Sequence, residues 1–314
     1  MRWLWFAIPA ALLLIWLGLG YYAFTVFCRR KPKDEPGTGE QIAKGPHGQY
    51  AEPILAGQAW IEAQRPERVQ TRSFDGLRLV GFYIPNPRQR GVAILFHGWH
   101  GAWNFDFSCS IPYYHSLGFS VLSVCQRAHG ESEGRYLTYG VRERRDVVTW
   151  INYVNQRFGA DTPILLGGLS MGSATVQMAC GLELPENVRA AVSDCGFTSP
   201  YEIGVHVLRR NRQPVWLLLP QMATFCRLLA GFGLRETSTI VAQRKNRVPT
   251  FFAHGEDDDF VPCEMSRRNY AACTAPKRLF TVPGARHGVS YLIDRAGYER
   301  ELREFLEPYF PAEN

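Results

Sequence analysis

The 314-residue chain has no two cysteines spaced as CxxC, which argues against zinc ribbons and thioredoxin-like redox chemistry. Its eight cysteines are too thinly spread to form a disulfide scaffold. It has no repeat period, so solenoids and propellers fall away. Neither sign of charge is in large excess. A net charge of +6 with 20% charged residues is too diffuse to argue for a nucleic-acid partner. An apolar fraction of 46% excludes disorder, collagen and coiled coil as the description of the whole. The sharpest absence is local: between Trp3 and Cys28 there is no charged residue at all.

About 20 consecutive apolar residues cross a bilayer as a helix. A cleaved signal peptide is the rival reading, but its apolar region is roughly 7–15 residues and ends in small side chains. This run is longer and ends in bulky residues, Tyr21 to Cys28. Phe27 also stands where a lipoprotein cysteine needs a small neighbour. Residues 1–28 are therefore expected to be an uncleaved, single-pass anchor in the lipid bilayer. Trp3, Trp5, Tyr21 and Tyr22 suit the two interfacial belts. Arg29, Arg30, Lys31 and Lys33 follow the span and only Arg2 precedes it, which favours a cytoplasmic soluble domain. The unpaired cysteines agree with a reducing compartment. Charge bias is a preference and leaves the other side open.

Residues 29–50 are polar and basic and read as a linker. The domain proper is expected over 51–314. Asp75-Gly76 between two alternating segments predicts a hairpin. Short apolar runs follow at 91–96, 119–124, 163–168, 188–193, 248–253 and 277–282, the pattern of strands covered on both faces. Val147, Trp150, Ile151, Val154 and Phe158 step along one helix face, as do Tyr298, Leu302, Phe305, Leu306 and Tyr309. Strands alternating with helices predict an α/β fold with a mostly parallel central sheet. The stretch 199–247 breaks the alternation with apolar helical segments and is expected to be a small cap. Its apolar side chains, Trp216 and Leu229 among them, are expected to pack on the sheet, on each other or around an acyl group.

Gly168-Leu169-Ser170-Met171-Gly172 follows a strand and opens a helical segment. G-x-S-x-G in that context exposes a serine hydroxyl on a sharp turn. A hydroxyl needs a base, and the base an orienting group. His287 lies in a loop after the last strand and is the expected base. Asp257, Asp258 and Asp259 follow the preceding strand, and Asp194 ends another, so the acid stays open on position alone. His97 and His100 suggest a metal pair, but no third ligand has convincing spacing, and no metal is expected.

Taken together, Phe96–Gly101, Arg127–Gly134, Gly168–Gly172, His254–Pro262 and His287 resemble the α/β-hydrolase superfamily. The likeness is strongest to its bacterial membrane-anchored members and to the serine aminopeptidase and feruloyl-esterase-like branch. The resemblance covers nearly all of 69–310. It implies an α/β-hydrolase fold with helices on both faces and a Ser170-Asp258-His287 triad, Asp258 being the residue in register with His254 and Val261-Pro262. It implies an oxyanion hole from the Trp99 and Met171 backbone N–H groups, with His97 supporting the loop. No cofactor is implied. The expected partner is a small acyl substrate, most readily an ester. A peptidase or thioesterase of the same fold, or a non-catalytic binding module, are the other readings.

Overall fold

The computed structural model describes residues 4–31, 42, 44, 45, 48–88 and 90–311. Trp3, Arg2, Lys33 and much of the expected linker lie outside them.

Gly76 takes a φ of 88°, open to glycine and costly for other residues. Around it β1 (Glu67–Arg72) folds back antiparallel on β2 (Arg78–Ile84). The turn is locked from outside. Arg127 is buried and donates to Asp75 at 2.9 Å and to Asp146 at 2.6 Å. The Arg127–Gly134 loop thereby pins the hairpin to the helix that carries Asp146.

Beyond the hairpin the chain winds β3 (Gly91–Phe96), β4 (Phe119–Cys125), β5 (Ile164–Leu169), β6 (Val188–Asp194), β7 (Thr250–Gly255) and β8 (Lys277–Val282). The eight strands form one sheet in the order β1-β2-β4-β3-β5-β6-β7-β8. Only the pairings of β2 with β1 and β4 are antiparallel. Every residue of β3, β4 and β7 is buried, as continuous apolar strands demand. One face packs Ile94, Leu122 and Leu166 against Val147, Trp150 and Val154. The other packs Leu95, Val121 and Phe251 against Ile111, Tyr298 and Phe305. The C-terminal helical stretch is broken: Asp294 ends one short helix, Ser290–Ile293, and caps the next, Arg295–Leu306, by accepting from the Gly297 N–H.

Two helices matter for the site. The apolar run is one helix, α1 (Leu4–Cys28). From Trp5 its mean hydropathy is 1.9, long and apolar enough to cross a membrane. Between β6 and β7 lie helices Pro200–Arg210, Val215–Leu229 and Thr239–Gln243. The middle one, here called the cap helix, buries Leu219, Met222 and Cys226 against Phe24 and Cys28 of α1.

Candidate active site

The strand–turn–helix at Ser170 follows from the two glycines that flank it. A Cβ at Gly168 would overlap the Gly172 backbone, and one at Gly172 would overlap the carbonyls of Phe96 and His97. Tight packing of β3, β5 and the helix Met171–Ala179 forces Ser170 into a left-handed conformation, φ 55° and ψ −115°. That strain is of order 1–3 kcal/mol. It is held by the Ser170 N–H bond to Asp194 O at 2.9 Å and by Ala174 N–H donating to Ser170 O at 3.0 Å.

Three sequence-predicted residues meet in one hydrogen-bonded line. Ser170 Oγ lies 2.9 Å from His287 Nε2, and His287 Nδ1 lies 2.6 Å from Asp258 Oδ2. The network assigns the tautomer: Nδ1–H donates to the carboxylate and Nε2 accepts from the serine hydroxyl. Of the three consecutive aspartates, Asp257 and Asp259 point outward. Asp259 pairs with Arg210 at 2.8 Å and with Arg286 at 3.3 Å. Asp258 alone is buried. Burial by itself would raise its carboxyl. Hydrogen bonds and charge from His254 and His287 outweigh that and hold it well below the usual carboxylate range. Its Oδ1 also accepts from the N–H groups of Phe260 at 2.9 Å and Val261 at 2.8 Å. Asp194 takes another position: its backbone carbonyl receives Ser170 N–H, and burial pushes its carboxyl up despite nearby His254 and Tyr298.

The loop after β3 lies against Ser170. A Cβ on Gly98 would come within 3.4 Å of Ser170 Cβ. Neither Trp99 N–H nor Met171 N–H is spent on another protein group among the described residues. His97 is buried, with Nδ1 at 2.8 Å from Gly98 O and Nε2 accepting from Gln126 N–H at 3.1 Å. It buttresses the loop.

Two contributors escaped the sequence reading of individual residues. His254 is fully buried, with Nε2 at 3.1 Å from Asp258 Oδ2 and 2.8 Å from Val261 O. It is a second imidazole on the same carboxylate, and its spacing four residues before Asp258 was the available signal. Asp106 accepts from Gly98 N–H at 2.6 Å and so fixes the loop from below. Desolvation raises the Asp106 carboxyl against the pull of His97 and that N–H. Nothing in the local sequence distinguished it.

Among the described residues one three-group cluster has metal-ligand spacing, Cys195, Asp258 and His287. Two of its members already bond each other. A cavity of about 350 Å³ opens over Ser170 and His287, walled by Phe107, Tyr114, Val192, Tyr291 and Leu292. No residue of 199–247 lines it. Of the three places open to the cap's apolar side chains, the wall of an acyl pocket is not the one they take. The inner ones are covered by α1, and Trp216 and Leu228 stay 79% and 74% exposed.

A family model described as alpha/beta hydrolase fold matches residues 92–225. An uncharacterized protein of Mycobacterium tuberculosis is 30% identical over 260 residues, covering 82% of this chain and 84% of its own. The uncharacterized protein YqkD of Bacillus subtilis is 28% identical over 236 residues, 74% of this chain and 76% of its own. In three dimensions the chain is similar to a Pyrococcus furiosus esterase, with a TM-score of 0.66 at 20% identity over 79% of this chain and 94% of that one. The doubly covered sheet, the serine turn after β5 and these likenesses agree: the chain belongs to the α/β-hydrolase fold family.

Proposed function

We propose that the protein is a membrane-anchored serine hydrolase that cleaves an acyl bond, most readily a carboxylic ester. The observation that carries this is the unbroken line from Ser170 Oγ through His287 to the buried Asp258. Ser170 Oγ attacks the acyl carbonyl while His287 Nε2 takes its proton. The Trp99 and Met171 N–H groups receive the oxyanion. The tetrahedral intermediate collapses, and His287 hands its proton to the departing alcohol. Water, activated by the same imidazole, then attacks the acyl-enzyme and releases the acid. An ester suits this machinery because an alkoxide leaves more readily than an amine, and the likeness to an esterase fold agrees.

The anchor reading is supported by how α1 ends. Phe24 and Cys28 are buried in the domain, which a cleaved leader would leave behind as a hole. On this reading residues 1–28 are the anchor, 29–50 the linker and 51–314 the hydrolase domain with a cap insertion at about 199–247. The charge pattern favours a cytoplasmic domain. The test of function is covalent labelling of the full-length chain with a fluorophosphonate. Ser170→Ala is expected to abolish labelling and to lower turnover by roughly 10⁴–10⁶. Labelling that persists on another serine refutes the assignment.

A further inference from the structure

The last four carbonyls of a helix have no partner inside it. At the end of α1 two of them are claimed by the hydrolase domain. Phe27 O accepts from the Trp99 indole N–H at 2.9 Å and from the Tyr139 hydroxyl at 2.8 Å. Cys28 O accepts from Leu137 N–H at 2.9 Å. The Trp99 ring is held further: the Phe27 ring lies 6.3 Å away between centroids and the Lys31 ammonium sits 5.3 Å over it. Only two rotatable bonds separate that ring from the Trp99 backbone, whose N–H faces no protein acceptor among the described residues.

What keeps α1 in place is its fit to the cap helix. The contacts run in step along both: Gly20 against Gln221, Tyr21 against Phe225 at 5.6 Å between ring centroids, and Cys28 against Cys226. Gly20 is a point of close approach, since a Cβ there would overlap the Gln221 side chain. A Cβ at Gly18, half a turn earlier, would meet nothing within 4 Å.

We infer that the apolar helix is a working part of the active site. Its docked C-terminal turn grips the Trp99 side chain and thereby sets the Trp99 N–H toward the oxyanion. The Trp99 side chain is then a positioning group, and activity depends on α1 being seated on the cap. This rests on the Ser170 reading above. With the helix unseated, the Ser170–His287–Asp258 line stays intact and the donor is misplaced. A displacement near 1 Å costs on the order of 10²-fold, and outright loss of a donor about 10²–10³.

The experiment uses the full-length chain in detergent micelles, with kcat and KM for a short p-nitrophenyl ester and the fluorophosphonate labelling rate as readouts. Trp99→Phe keeps an aromatic ring, smaller than the indole, and removes the N–H. It is expected to lower kcat and labelling about 10–100-fold, with KM within about twofold. Gly20→Leu is expected to do the same, and Gly18→Leu to change nothing. The double variant Trp99→Phe/Gly20→Leu is expected to be no worse than the weaker single, because both break one link.

Seating is read without activity through Cys28 and Cys226, whose Sγ atoms are 3.7 Å apart. Diamide, taking two electrons and two protons from the thiols, is expected to join them in the wild type and to fail in Gly20→Leu. If Gly20→Leu does not fold, Trp99→Phe and Tyr139→Phe carry the test. Unchanged kcat in Trp99→Phe, multiplying losses in the double variant, or lost cross-linking with full activity each overturn the inference. A wild type that never labels at Ser170 removes the catalytic reading first, and this inference with it.

Discussion

Replacing Asp258 by Asn removes one charge and almost no volume, so its effect can be worked out atom by atom. Oδ1 accepts from two backbone N–H groups, Phe260 at 2.9 Å and Val261 at 2.8 Å. That position must stay an oxygen. The new amide NH₂ therefore falls where Oδ2 was, 2.6 Å from His287 Nδ1 and 3.1 Å from His254 Nε2. A donor now faces His287 Nδ1, which can only answer by becoming an acceptor. The ring proton moves to Nε2, the atom that should take the Ser170 proton, and the base is lost. The imidazolium that forms during the reaction also loses its counter-charge. Loss of both functions is expected to cost about 10³–10⁴ in kcat, or roughly 4–5.5 kcal/mol. Asp257→Asn and Asp259→Asn serve as neighbours of the same chemistry. Asp257 is exposed, and Asp259 is engaged only in surface pairs, so each is expected to change kcat by no more than a few-fold. The assay is single-turnover and steady-state hydrolysis of a p-nitrophenyl ester by the full-length chain. If Asp257→Asn proves the most damaging, or Asp258→Asn keeps more than about a tenth of the activity, the reasoning is wrong.

The depressed Asp258 carboxyl also fixes a pH dependence. Its charged form stabilises the fold fully above the ordinary aspartate value of about 3.9, and that contribution is lost as pH falls through the lower folded value. The stabilisation of wild type over Asp258→Asn, read from urea midpoints, should thus shrink as pH falls below about 4. Specificity belongs to the cavity wall: Leu292→Ala or Phe107→Ala is expected to re-rank short, long and aromatic acyl esters by about 1–3 kcal/mol in kcat/KM. Trp216→Ala and Leu229→Ala should leave the ranking unchanged, and a reordering there would return the pocket to the cap. For topology, protease added to intact cells should spare the hydrolase domain and cut it only after lysis; cleavage in intact cells puts the domain on the other side without touching the catalytic argument.

What could be read from the sequence and what could not divide along a physical line. The strands at 91–96 and 119–124 and the serine turn were legible because their signals are local. A buried parallel strand must be apolar throughout, and a serine on a strained turn must have small neighbours. The hairpin at Gly76 was legible for the same reason. The choice among three aspartates was not local: position alone left it open, and the register with His254 and Val261-Pro262 came from the family resemblance. Partnership between distant segments is different. Hydropathy marks α1 as apolar all round, and nothing in that measure says that one edge, Gly20, Phe24 and Cys28, is packed against protein. The partner of the cap was hidden for the same reason. Its apolar side chains did need cover at about 25 cal/mol per Å², but the cover came from α1 rather than from a substrate.

The uncovered remainder of the cap then acquires a reason. Residues 5–19 of α1 are exposed along their whole length, about 22 Å of helix at 1.5 Å per residue. A bilayer core is about 30 Å thick. If α1 spans it, the apolar phase must reach beyond Leu19 to the level where Gly20 meets Gln221. The cap helix runs in the same direction as α1, so its first turn, with Trp216, extends back toward that phase. A tryptophan 79% exposed to water is costly, whereas at a lipid interface its ring is well placed. Quenching by brominated lipids should therefore be measurably stronger in wild type than in Trp216→Phe reconstituted in the same vesicles. Equal quenching would mean that the cap stands clear of the bilayer and that the exposed part of α1 is all that enters it.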